Sequence, residues 1–184
     1  MKKLIAIVGM SGTGKSVATT YLKNKGYTTI YFGKVIYNKM KEEGIEITPN
    51  SQKEFRENLR KEHGMGVVAK ILLPKIEEAY KVGNTVLDDL CSWDEYLILK
   101  EKFKDLKLIC VCTDKEIRYN RVSKRTDRPF NREDIIKRDF SEIEKSAKGG
   151  PIAFADYYIL NNGDLNAFYK RLEEILDDID NEEQ

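Results

Sequence analysis

Apolar residues gather into five short runs, at 4–8, 28–32, 85–88, 106–112 and 157–160, separated by stretches whose apolar positions recur every three or four residues. The first run is apolar throughout, as a strand covered on both faces must be, and strands alternating with helices predict an α/β fold built on a parallel sheet. A first helix is expected over 15–25, with Val17, Ala18, Tyr21 and Leu22 on its buried side and Gly26 as its stop. Near the end, Leu165, Phe168, Leu172, Ile175, Leu176 and Ile179 fall on one helical face that must pack against the sheet.

Two connections exceed what a simple crossover needs. The first, between Phe32 and Thr85, holds helical patterns over 34–43, after Ser51 (where Ser51 and Glu54 make a capping-box pattern) and after Gly66. The second, between Cys112 and Tyr157, reads as a helix over 114–124, a break at Arg128-Pro129-Phe130, a helix over 131–148 and a hinge-like Gly149-Gly150-Pro151. Long insertions over a rigid scaffold are usually functional. A chain of 184 residues suffices for one such domain and is short for two.

Directly behind the first strand stands Gly9-Met10-Ser11-Gly12-Thr13-Gly14-Lys15-Ser16. Its glycines let the backbone curl so that successive N–H groups face phosphate oxygens, and the helix opening at Lys15 adds the positive end of its dipole. In this pattern Lys15 reaches the β- and γ-phosphates of a nucleoside triphosphate, and the Ser16 hydroxyl is a ligand of Mg2+. Such a spacing arises by accident in roughly one chain of this length in a few hundred. Its place between strand and helix makes the accidental reading rarer still.

Charge adds local rather than global information. Lys plus Arg number 32 against 31 for Asp plus Glu, which argues against a field for nucleic acid or an anionic membrane. Residues 114–138 nevertheless hold nine basic and five acidic side chains, whereas 172–184 hold seven acids and no base. Cysteines 91, 110 and 112 form no disulfide framework, and Cys110 and Cys112 alternate into the same side of a strand as core residues. Met1-Lys2-Lys3 leads straight into the first strand rather than a signal sequence, and no apolar run approaches a membrane span. A cytoplasmic protein with reduced thiols is expected.

Beyond the phosphate loop, several segments resemble the P-loop kinases of small molecules, the nucleoside-monophosphate kinase and dephospho-coenzyme A kinase group. They are Phe32-Gly33-Lys34, Val86-Leu87-Asp88, the stretch 125–138, and Ala155-Asp156-Tyr157 through Asn161-Asn162-Gly163-Asp164. Arg60-Lys61-Glu62-His63-Gly64-Met65-Gly66 is similar to a segment of a family labelled adenylate-kinase-like or dephospho-coenzyme A kinase-like, which identifies a family without supplying its acceptor. The resemblance implies a five-stranded parallel sheet in the order 2-3-1-4-5. It further implies a core of 1–32, 83–123 and 151–184, an acceptor-binding insertion over 33–82 and an Arg-rich lid over 124–150. ATP and Mg2+ are the implied cofactors, with Asn162 and Gly163 beside the adenine.

Asp88 ends an apolar strand beside the loop strand, from where a carboxylate holds Mg2+ through water. Asp89, next to it, should point elsewhere, either capping a helix or meeting the acceptor. An acceptor hydroxyl must lose a proton, so a free carboxylate there matters more for a hydroxyl than for a phosphate. Arg118, Arg121 and Arg125 share a helical face, continued by Arg128, Arg132 and Arg138; planar guanidinium groups closing over a transferring phosphoryl stabilise its charge. Of these, Arg125, Arg128 and Arg138 are expected to act in catalysis and Arg121 to contact nucleotide.

The acceptor side departs from the monophosphate-kinase pattern, with Gly33-Lys34 and Tyr37 in place of Gly-Asp and a following Arg, and Cys91 where an Arg often grips the acceptor. Arg56 and Arg60, four apart, and Lys34 are candidate replacements, while Trp93, Tyr31 and Tyr37 either stack on a base or pack the core. His63, the only histidine, fits a helix end better than catalysis. The expectation is an ATP- and Mg2+-dependent phosphotransferase with a small nucleotide-like acceptor, a nucleoside monophosphate ahead of a dephospho-coenzyme A-type hydroxyl. A P-loop regulator without a small acceptor is the rival of another class.

Overall fold

A computed structural model describes residues 2–125 and 130–182 of the chain. Its centre is a five-stranded sheet in the order β2-β3-β1-β4-β5, all neighbours parallel. The strands are β1 (Leu4–Val8), β2 (Thr28–Tyr31), β3 (Thr85–Asp88), β4 (Lys107–Cys112) and β5 (Tyr157–Leu160). This is the expected order, and the strands lie within a residue or so of their sequence runs.

Side-chain alternation along β1 divides the core. Ile5 and Ile7 face a layer formed by α1 (Lys15–Asn24) and α9 (Leu165–Glu182), where Ala18, Leu22, Phe168, Leu172 and Ile175 are buried. Leu4, Ala6 and Val8 face the opposite layer of α2 (Gly33–Glu42), α4 (Val67–Val82) and α5 (Trp93–Lys102), packed through Met40, Ile76 and Leu99. Both faces of β1 are thus sealed, each large aliphatic contributing about 1.5–3 kcal/mol by leaving water. Cys110 lies in this second layer with Cys112 packed against it, their sulfurs 3.5 Å apart.

Local chemistry shifts several expected boundaries. The helix of the first insertion, α3 (Pro49–His63), is capped by Thr48, whose side chain accepts from Ser51 N while Ser51 Oγ accepts from Thr48 N. The capping box therefore sits three residues before the expected Ser51 and Glu54 pair. In the second insertion α6 (Lys115–Ser123) and α7 (Arg132–Glu144) are joined by a small apolar cluster of Tyr119, Val122 and Ile135. The expected hinge at Gly149-Gly150-Pro151 is instead a short helix, α8 (Gly149–Ala153), and a Cβ on Gly150 would lie 3.0 Å from the Trp93 ring. Leu165 opens α9 exposed rather than buried. Among the described residues no helix is long and apolar enough to cross a membrane.

Candidate functional site

The loop after β1 requires its glycines. Gly9, Gly12 and Gly14 have φ of 142°, 87° and 102°, in the range L side chains avoid. Added Cβ atoms would also stand 2.4 Å from the Val111 carbonyl oxygen, 2.6 Å from Val122 Cγ2 and 2.3 Å from Asn161 Nδ2, respectively. The loop's outward carbonyls are tied to the carboxyl end of the sheet. Thr13 O accepts from Asn161 Nδ2 at 2.7 Å and Thr113 Oγ1 at 3.0 Å, and Ser11 O accepts from Arg118 Nη1 at 2.9 Å. Lys15 Nζ donates to Gly9 O at 2.8 Å and Met10 O at 3.2 Å, crossing the mouth of the loop.

Opposite the loop, β3 delivers two adjacent carboxylates. Asp88 pairs in register with Ile7 of β1 and Tyr31 of β2, at the carboxyl edge of the sheet. Asp89 follows in a left-handed conformation, φ 64°, unusual for a residue with a side chain. It caps no helix; Ser92 caps α5, in a reciprocal box with Glu95. Its carboxylate turns into the site instead, Oδ1 lying 3.5 Å from Lys15 Nζ and 3.3 Å from Lys148 Nζ. Lys148 also contacts Glu142 at 3.2 Å, and Glu142 accepts from Arg138 Nε at 2.9 Å.

The protonation states follow from this alternation of charge. Burial alone would raise Asp89, but Lys148 and Lys15 outweigh it and hold the carboxyl well below the usual carboxylate range. Burial would likewise lower Lys148, yet Asp89 and Glu142 keep it firmly cationic. Burial lowers Lys15 despite Asp89. Asp88 goes the other way: burial and the neighbouring Asp89 raise it, with a Thr19 hydrogen bond offsetting part. Cys91, whose thiol donates to Asp89 O at 3.2 Å, is pushed up to about 11 by burial and Asp89, so it is a neutral thiol.

Lys15, Asp88, Asp89, Arg138, Glu142 and Lys148 line a cleft of about 320 Å³. Of the sequence-predicted residues, Ser11, Gly12, Gly14, Lys15 and Ser16 of the loop border it, as do Asp88, Asp89, Arg121, Arg125 and Arg138. Arg128 lies outside the described residues. Asn162 and Gly163 do not border the cleft; Asn162 Oδ1 accepts from Asp114 N, and the adjacent Asn161 is the residue that touches the loop. Gly33 packs against the Tyr31 ring and Lys34 is exposed, neither lining the cleft, whereas Tyr31 does. Arg56 and Arg60 sit in a different cavity, with Arg60 bonded to Glu95 and Ser146.

Arg118 is buried against Asp139, with its Nη1 also on the loop carbonyl of Ser11, so it braces the loop from behind. Arg132 is exposed and paired with Glu116. Trp93 packs at a tilt on Tyr96 and edge-on against Phe154, and it does not line the cleft. His63 is exposed at the end of α3. Sequence reasoning missed Lys148, Glu142, Glu95 and Asp139. Glu142 was recoverable as the i+4 partner of Arg138. Lys148, between Ala147 and two glycines, carried no spacing signal, because tertiary folding alone brings it to Asp89.

The donor set fits a Mg2+–nucleotide. Ser16 and Asp88 offer the hard oxygen ligands Mg2+ takes, and Asp88, disfavoured as an anion beside Asp89, gains most from a cation.

An AAA-domain family profile matches residues 5–145. A UPF0200 protein of Sulfurisphaera tokodaii is 32% identical, over 95% of this chain and 96% of its own length. This chain belongs to the AAA-domain family and to the UPF0200 family. Among solved structures, a shikimate kinase from Bacteroides thetaiotaomicron overlays with a TM-score of 0.62 at 12% identity, covering 98% of this chain and 99% of its own. A gluconokinase from Sinorhizobium meliloti gives 0.59 at 15%, covering 100% and 98%. At those identities the likeness is one of fold, and the UPF0200 chain has the fold of the P-loop small-molecule kinases.

Proposed function

We propose that this UPF0200 protein is an ATP- and Mg2+-dependent phosphotransferase that moves the γ-phosphoryl group of ATP to a small nucleotide-like acceptor, a nucleoside monophosphate first. The observation that carries the reading is the meeting in one cleft of Lys15, the strand-end Asp88 and cationic groups from the second insertion, Arg121, Arg125, Arg138 and Lys148. Phosphoryl transfer needs little from a protein beyond positioning and charge, and this set supplies both.

In the reaction the loop amides and α1 hold the phosphates, and Lys15 moves from Asp89 and the Gly9 and Met10 carbonyls to the β- and γ-oxygens. Ser16 and Asp88 would hold Mg2+, which would supply charge neutralisation at the phosphates. Arg125 and Arg138, which border the cleft, would stabilise the charge of the transferring phosphoryl group, and Lys148 would keep Asp89 ionised once Lys15 has left it. The lowered Asp89 is a poor base, which suits an acceptor that is already anionic, such as a phosphate.

A second reading, transfer to a hydroxyl, has one observation in its favour: Asp89 faces the cleft beside Lys15 rather than capping α5. The shikimate kinase and gluconokinase relatives in fold carry names that suit it, although fold is not function. Steady-state ADP release separates the readings. Stimulation by a nucleoside monophosphate, retained in Asp89→Asn, supports the first; stimulation only by alcohols, lost in Asp89→Asn, supports the second. Slow hydrolysis with no acceptor effect supports the regulator.

A further inference from the structure

Asp89 is held in the cleft by contacts that do not depend on Lys15. Its Oδ1 lies 3.3 Å from Lys148 Nζ, and the Lys148 side chain is 3% exposed. Lys148 is fixed in turn by Glu142, its Nζ 3.2 Å from Oε2 and its backbone N donating to Glu142 O at 3.1 Å. Arg138 Nε donates to Glu142 Oε1 at 2.9 Å and closes the row. The carboxylate is therefore anchored at the cleft wall, and its 3.5 Å approach to Lys15 Nζ is built into that wall.

The backbone is committed to the same contact at both ends. Among the described residues, the non-glycine positions with positive φ are Asp89, at 64°, and Ala147, at 50°. One carries the carboxylate and the other directly precedes Lys148. A glycine would take either value freely, so a side chain there is a cost, and strain kept at both partners of one contact points to a function for it. Pairing of Lys148 alone does not account for Asp89, because Glu142 already meets that ammonium. The cation with no other carboxylate contact among the described residues is Lys15, whose remaining partners are the Gly9 and Met10 carbonyls of its own loop.

Lys15 is the group that reaches the β- and γ-phosphates in a loop of this kind. A phosphate entering the cleft must draw its ammonium away from a carboxylate that stays in place, and an exchanged contact returns only the difference between the two partners. We propose that Asp89 sets the loop's affinity for nucleotide, as a fixed internal anion that competes with the β- and γ-phosphates for Lys15 and reclaims it when the nucleotide leaves. Asp89 acts through Lys15 and is in this sense a positioning residue. The inference requires nucleotide to bind the loop and does not require its phosphoryl group to be transferred, so it stands apart from the phosphotransfer reading.

The test is calorimetric titration of the full chain with Mg2+ and AMP-PNP, a non-hydrolysable ATP analogue, in wild type, Asp89→Asn and Asp89→Gly. Both substitutions remove the charge and suit a left-handed backbone, so both keep the turn. The Kd is expected to fall by about tenfold or more in each variant, the scale of one competing contact removed. In a Lys15→Ala background, adding Asp89→Asn should bring no gain, because the competition runs through Lys15. Unchanged or weaker affinity in Asp89→Asn overturns the proposal. So does a gain in Asp89→Gly alone, which would assign the effect to backbone strain. A gain in the Lys15→Ala background overturns it too, by assigning the effect to direct repulsion of phosphate. Tightened binding with no phosphorylated product from any acceptor removes the phosphotransfer reading alone, and transfer that persists with affinity unchanged removes this inference alone.

Discussion

Lys15 of the phosphate loop and Lys148 before α8 converge on one oxygen, Asp89 Oδ1, at 3.5 Å and 3.3 Å. The carboxylate pairs with both ammonium groups, and Glu142 supplies a second negative charge to Lys148. In the proposed reaction Lys15 would turn to phosphate, and Lys148 would remain as the cation beside the half-buried Asp89.

Replacing Lys148 therefore has a signature distinct from a binding mutation. Lys148→Met should lower kcat by about 100-fold, the scale for losing one preorganised charge donor, while the KM for ATP changes little. Lys148→Arg should recover part of the rate. Steady-state kinetics on the three proteins checks this; an unchanged kcat in the methionine variant returns Lys148 to a structural role.

Asp88 predicts a trade between stability and activity. Its folded-state pKa is raised by burial and Asp89, so its ionised form costs stability above the ordinary aspartate pKa, and the cost disappears on acidification. Asp88→Asn should raise the melting temperature of the metal-free protein at neutral pH and abolish Mg2+-dependent turnover. Thermal denaturation with and without Mg2+–ATP measures both effects.

Asp89 and Glu142 have the opposite sign. Their folded pKa values are depressed, chiefly by Lys148 against the effect of burial, so their contribution is fully present above the unfolded values of about 3.9 and 4.3. It is lost as pH falls through the lower folded values. Urea denaturation from neutral pH down to about pH 3 should show a shallower acid loss in Asp89→Asn than in wild type. Parallel curves would contradict the ion-pair assignment.

Arg118 links stability to the loop. Its removal leaves Asp139 buried without its cation, the Tyr119 hydroxyl remaining as a donor, a change that costs about 3–5 kcal/mol, and frees Ser11 O from its brace. Arg118→Met should lower stability on that scale and weaken ATP binding, whereas the exposed Arg132→Met should do neither. Chemical denaturation and nucleotide titration of both variants separate the brace from the surface pair.

Much of the fold was legible because it rests on local periodicity: the apolar run of β1, the three-four spacing of α9 and the glycines of the loop each announce themselves. The order of the strands came from family likeness, since parallel pairing is set by contacts far apart in sequence. That Lys15, Ser16 and Asp88 border one cleft could be read because each is fixed by its distance from a strand end. For Asp89 the sequence left helix capping and acceptor contact both open, and its φ of 64° removes the cap by turning the carboxylate toward Lys15. Arg118 and Arg121 look alike on one helical face, and only the buried Asp139 makes one a brace and leaves the other in the cleft. Lys148 comes from across the fold and has no local signature.

The most direct measurement of the central claim is mass analysis of products formed from ATP and Mg2+ with a panel of nucleoside monophosphates, dephospho-coenzyme A and small alcohols, using wild type and Lys15→Ala. One phosphorylated acceptor is expected, formed in step with ADP and absent from the Lys15→Ala reaction. ADP formed at the same rate with every acceptor and with none, without phosphorylated product, would contradict it.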